Sequence, residues 1–167
     1  MVPNERLFTQ RQGVPATTRI NFQTSSAPVP AGYLVDAGRS YADRGNGQTY
    51  GWSADNTANM RDRNAANSPD QRYDTLAYMQ RAPNLSWEIA VPNGSYMVRL
   101  VAGDPVYFDN PVQITVEGAV VLSGTTTSAA RWVESQSTVT VTDGRLTIGN
   151  GAGANGNKLC FVEITPQ

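Results

Sequence analysis

The sequence predicts an all-β protein folded as a β-sandwich. Eight or more short segments alternate apolar and polar residues, as strands with one buried and one wet face must. These segments recur about every ten residues, with turn chemistry between them. No stretch of any length carries a helical period.

Taken in order, residues 1–17 lack periodicity and contain Pro3, Gly13 and Pro15. They read as a linker or N-terminal arm, and the domain proper as 18–167. Residues 19–23 (RINFQ) form the first short strand. Residues 24–70 are polar, glycine-rich and without strand pattern; a compact domain keeps so long an irregular stretch for function, or staples it down. Strands follow over 73–79 (YDTLAYM), 87–91 and 96–102, the last two separated by the tight turn Pro92-Asn93-Gly94. Further strands are expected at 112–116 and 119–122, then a loop at 123–128 (SGTTTS) and a buried edge at Trp132 and Val133. Residues 137–142 (STVTVT) alternate cleanly, and Asp143-Gly144 is a two-residue hairpin signal leading into 145–148. Residues 158–165 close the chain, and pairing of the first and last strands would bring the termini together. No internal repeat occurs.

Composition narrows the function. At 167 residues, 40% hydrophobic and 16% charged, the chain can bury one core without metal or disulfide staples. Thirteen basic residues face 14 acidic ones, and Lys158 is the only lysine. That balance supplies no basic field for a phosphate backbone, so nucleic acid is not an expected partner. The absence of histidine removes Ser-His-Asp and Cys-His catalysis and ordinary zinc sites. Cys160 stands alone in an apolar run and reads as a buried strand cysteine. No run reaches the ~18 apolar residues of a membrane span. The few lysines and many Asn, Gly, Thr and Ser point to an extracellular protein, and a monomer is expected.

Two large aromatics side by side in a polar loop, Tyr107 and Phe108, need a reason. Sugar rings supply one, being flat, weakly apolar on a face and hydroxylated at the rim. Asp104, Asp109 and Asn110 lie alongside for hydroxyl hydrogen bonds. Tyr50-Gly51-Trp52 offers either a second aromatic wall or a plug at the sandwich edge. Arg39 lies in the same segment, where a guanidinium beside a ring would favour an acidic sugar.

The order of segments across 86–118 resembles malectin and malectin-like carbohydrate-binding modules of the galactose-binding jelly-roll superfamily. It runs from an aromatic-x-apolar strand through a Pro-Asn-Gly turn to Tyr96-x-Val98-x-Leu100. The aromatic pair and Val112-x-Ile114-x-Val116-x-Gly118 follow. The closing segment TDGRLTIGNGAGANGNKLCFVEI is similar to that family's last strands. The resemblance implies a non-catalytic jelly roll of two antiparallel sheets, with long loops at one end holding the sugar. It maps the family's stacking pair onto Tyr107 and Phe108, a further tyrosine onto Tyr73 or Tyr78, and a polar ligand onto Asn155 or Asn157. An amide in place of the family's aspartate can donate and accept but carries no charge.

Related modules hold a structural calcium ion, and loop oxygen ligands are plentiful here: Asp55, Asn56, Asp62, Asn64, Asp70 and Asp74. No spacing organises them, so the metal ligands stay unassigned. Asp104, Asp109, Glu117 and Glu134 are the acids from which a hydrolytic pair would be drawn. The expected function is binding of an oligo- or polysaccharide by a module of a larger secreted bacterial polysaccharide-active enzyme or adhesin. The alternatives are a structural or adhesion domain packing on a neighbouring domain without sugar, and a polysaccharide-degrading enzyme using Tyr and Arg.

Overall fold

A computed structural model describes residues 16–167. The strands are β1 (Thr18–Phe22), β2 (Leu34–Asp36), β3 (Ala42–Asp43), β4 (Thr49–Trp52), β5 (Met60–Asp62), β6 (Thr75–Tyr78), β7 (Trp87–Ala90), β8 (Gly94–Gly103), β9 (Pro111–Val116), β10 (Ala119–Thr125), β11 (Trp132–Val141), β12 (Arg145–Asn150) and β13 (Lys158–Pro166). A single helical turn, α1 (Gln71–Asp74), precedes β6. One sheet runs β11-β8-β13-β1-β2, with β6 also on β13 and β5 on β6. The other runs β10-β9-β12-β7-β4-β3. From β6 onward most connections cross between the sheets, and the protein is a jelly-roll β-sandwich.

Alternation builds the core. Ile20 and Phe22 of β1, Tyr96, Val98 and Leu100 of β8, and Val162 and Ile164 of β13 point inward from the first sheet. Trp52, Trp87, Ile89, Ile114, Leu146 and Ile148 meet them from the second. Phe22 packs edge-on against both tryptophans, at 5.7 and 5.4 Å between ring centroids. Between the layers the buried Asp36 carboxylate accepts hydrogen bonds from Trp52 Nε1 (2.9 Å), Trp87 Nε1 (2.8 Å) and the Gly38 amide (2.8 Å). Burial pushes this carboxyl up, while the three donors favour the anion. Gly38 is required there: its φ is +90°, and a Cβ would lie 2.7 Å from the Asn56 backbone.

The first and last strands pair antiparallel, Thr18 opposite Ile164. Several local expectations need correction. β1 and β2 pair parallel, so the first sheet is not wholly antiparallel. Asp143-Gly144 does not make a hairpin, because β11 and β12 belong to different sheets. The turn instead docks on the other crossing, the Gly144 amide donating to Asn93 Oδ1 at 2.7 Å. The tight hairpin is Glu117-Gly118 between β9 and β10, both residues at positive φ (52° and 78°) as a type I′ turn requires. Residues 24–70 are not irregular throughout, since β2 to β5 lie within them. Residues 71–74 are helical rather than extended because the Asp70 side chain caps the Arg72 amide. The loop expected at 123–128 begins later, with Ser123 to Thr125 paired in β10. Trp132 and Val133 open β11 at the sheet edge, half-buried rather than buried. The arm expected over residues 1–17 falls almost wholly outside the described residues. No helix among them is long and apolar enough to cross a membrane.

Replacing Asp36 with alanine strands two indole N–H groups and a backbone amide in the core. Guanidinium unfolding should show a loss of about 3 kcal/mol or more; a loss under about 1 kcal/mol would remove this contact from the account of stability.

Candidate functional site

The pairing of β5 with β6 sets one wall of an open concavity of about 590 Å³. Met60 lies opposite Ala77, and both point into the core. Their neighbours Arg61 and Tyr78 are therefore carried to the outer face, with Arg63 and Gln80 two residues further along. Loop 104–110 supplies Tyr107, Phe108 and Asn110; Gly156 and Lys158 come from the approach to β13, and Arg81 lines the rim.

The floor is an ion cluster. Asp104, 1% exposed, takes a forked contact from Arg63: Nε to Oδ1 at 3.1 Å and Nη2 to Oδ2 at 2.7 Å. Lys158 Nζ lies 3.4 Å from the same carboxylate and donates to the Tyr107 carbonyl (2.9 Å) and Asn110 Oδ1 (3.3 Å). Burial alone would raise the Asp104 carboxyl. The Arg63 fork, the Val106 amide and the Lys158 charge outweigh it and hold the pKa below the ordinary carboxylate value.

The same cluster places the rings. Arg63 sits 4.9 Å from the centroid of Tyr107 and donates to the Tyr78 hydroxyl at 2.9 Å. Arg131 lies 4.4 Å from Phe108 while donating to the Pro105 carbonyl at 2.7 Å. Asn67 donates to that carbonyl too, and the Asp109 amide pairs with Thr126. The loop is thus fixed at both ends, and Tyr107, 59% exposed, is displayed rather than stored. Such a wall, flat on its faces and polar between them, can hold a ring-shaped, hydroxylated ligand with little ordering cost.

The structure gathers only part of the residues expected from sequence. Tyr107, Phe108 and Tyr78 line the concavity together. Tyr73 does not; it packs edge-on against Trp132 and Phe161 on the outer face of the first sheet. Tyr50 and Trp52 are core residues, 2% and 1% exposed, so they form no second wall. Arg39 lines a separate concavity with Tyr41 and Arg44. Asp104 holds cations beneath the surface and is closed to a ligand. Asp109 and Asn155 are exposed outside the lining. Asn157 is buried, its side chain bridging the Gln113 backbone and Asn150. Sequence reading passed over Arg61, Arg63, Gln80, Arg81 and Lys158. Two signals pointed to them: the alternation of Met60-Arg61-Asp62-Arg63, and the singularity of the one lysine.

Among the described residues no three His, Cys, Asp or Glu side chains gather as a metal site. Of the acids considered for calcium, three serve the chain itself, while Asp62 Oδ1 is buried without a hydrogen-bond partner among the described residues. Asp55 accepts from the Thr57 amide, Asp70 pairs with Arg72, and Asp74 accepts from Asn64, Ala65 and Ser68. Cys160 is buried, its thiol pushed up by burial and directed at the Gly103 carbonyl. It is inert.

No protein-family model matches the sequence, and no curated protein matches it. Solved structures do. The Bacillus subtilis protein YxiM is similar at 22% identity and a TM-score of 0.65, over 91% of this chain and 40% of that one. A Bacteroides uniformis beta-glucuronidase 2 is similar at 15% identity and 0.61, over 92% of this chain and 18% of the enzyme. The likeness is one of fold. A family 35 carbohydrate-binding module from Clostridium thermocellum aligns at 17% identity over 65% of this chain and 89% of the module, with a TM-score of 0.41 that adds no weight. The chain spans well under two thirds of the first two proteins, and the malectin likeness rests on sequence motifs alone.

Because the folded-state pKa of Asp104 lies below its unfolded value, the cluster stabilises the fold at pH above about 4 and ceases to do so as pH falls through the depressed value. Asp104→Asn should cost roughly 3 kcal/mol at pH 7 by stranding buried cations. It should also flatten the acid limb of a melting-temperature profile below about pH 5, where the wild-type carboxylate takes up its proton. An unchanged acid limb would show that the pair contributes nothing.

Proposed function

We propose that this chain is a non-catalytic carbohydrate-binding module, working within a larger secreted protein that acts on or adheres to polysaccharide. One observation carries the reading: Tyr107, largely exposed, stands with Tyr78 and Phe108 around a concavity whose remaining lining is amide and cation. Aromatic faces give apolar contact to a sugar ring, and Asn110, Gln80 and the guanidinium groups give hydrogen bonds to its hydroxyls. No Asp or Glu lines the concavity, so a hydrolytic pair of carboxylates has no members here. Similarity of fold to part of a beta-glucuronidase is in keeping with a module beside a catalytic domain. The open shape favours modest affinity, on the order of micromolar to millimolar.

Tyr107→Ala tests this without touching the core, since the ring is exposed. On a glycan array followed by titration calorimetry, wild type should retain at least one oligosaccharide, and the variant should bind it about tenfold more weakly or worse at an unchanged melting temperature. Equal binding by the variant would remove the loop aromatics from the site.

A further inference from the structure

We propose that the ligand is an acidic glycan whose sugar carboxylate is taken by Arg81 and Arg61, an inference that rests on the carbohydrate-binding reading above. The whole chain carries a net charge of −1, yet this concavity is lined by four cations, Arg61, Arg63, Arg81 and Lys158, two of which share the buried carboxylate of Asp104. Asp104 is already engaged by Arg63 at 2.7 Å and Lys158 at 3.4 Å. Among the described residues, neither Arg61 nor Arg81 has a carboxylate oxygen within 4.0 Å.

Both are nonetheless held in place. Their guanidinium carbons lie 5.2 and 4.0 Å from the centroid of the Tyr78 ring. Arg61 also donates through Nη1 to the carbonyls of Ala58 and Met60, at 2.9 and 2.7 Å. A guanidinium against an aromatic ring can keep N–H donors free along its edge, the fork that meets a planar carboxylate in two parallel hydrogen bonds. Tyr78 is thus a common support for two cations without a carboxylate partner among the described residues, and Tyr107 lines the same concavity to receive the sugar ring. A neutral glycan would use the hydroxyl donors but leave the charge excess unanswered. A uronic acid residue answers both.

Affinity electrophoresis separates the possibilities. Wild type and Arg81→Gln are run through gels holding polygalacturonate, alginate or glucuronoxylan, each beside its carboxyl-reduced counterpart, with dextran sulfate and a panel of neutral polysaccharides in parallel. Arg81 is exposed, and a thermal melt of the variant confirms that its fold is intact. At least one uronate polymer should retard wild type, its reduced form should not, and the variant should bind about tenfold more weakly. Equal retardation by charged and reduced polymers, or by neutral polysaccharides alone, overturns the acidic assignment and leaves carbohydrate binding standing. Retardation by dextran sulfate as strong as by every uronate polymer overturns the carboxylate as the group recognised. No retardation by any polysaccharide overturns both readings.

Discussion

The Asp104 carboxylate is the constraint on which the site depends. It directly follows β8 at the point where the chain leaves one sheet for the other, and it is closed to water. A buried charge must be paired, and here it is paired from two directions: Arg63 just past β5 and Lys158 at the start of β13. Three elements distant in sequence are fixed at one point. Each cation then does a second task, Arg63 against the Tyr107 ring and Lys158 on the Tyr107 carbonyl. The displayed aromatic is thus a consequence of satisfying a buried ion.

The sandwich supplies the rigid base that such a site needs. Asp36 answers two indole donors within the core, so the wide aromatic layer of Phe22, Trp52 and Trp87 is packed and also oriented. On the outer face of the first sheet, Phe161, Tyr73 and Trp132 form a second aromatic layer, covered by Arg72 and Arg99. A preorganised, shallow wall lowers the ordering cost of binding.

Much of this was legible along the chain, and the limits have physical causes. The strands of 87–116 announce themselves because alternation and turn chemistry are local, and Tyr107-Phe108 is conspicuous because a polar loop rarely carries adjacent rings. Asp143-Gly144 shows the limit of local signals: the turn has hairpin chemistry, but which sheet the next strand joins is decided by the core. Among glycines and polar residues, and with no local signal to choose, Tyr50 and Trp52 fit either an aromatic wall or a plug of the sandwich. They are buried because β4 pairs with β7, which sets Trp52 opposite Trp87, and because Asp36 awaits the indole. Asp104 reads as a ligand group until Arg63, 41 residues earlier, is found against it. The arginines escaped notice for the same reason: twelve occur, and only the β5–β6 hairpin shows which of them share Tyr78.

The central claim is that the ligand sits between Tyr78 and Tyr107. A heteronuclear NMR titration of the intact chain with the most strongly retained oligosaccharide measures this directly. Shifts should cluster on the Arg61, Tyr78, Arg81, Tyr107, Phe108 and Gly156 signals while those around Arg39 and Tyr41 stay still. Shifts confined to Arg39, Tyr41 and Arg44, or to the opposite end of the sandwich around Pro92 and Tyr96, would contradict it.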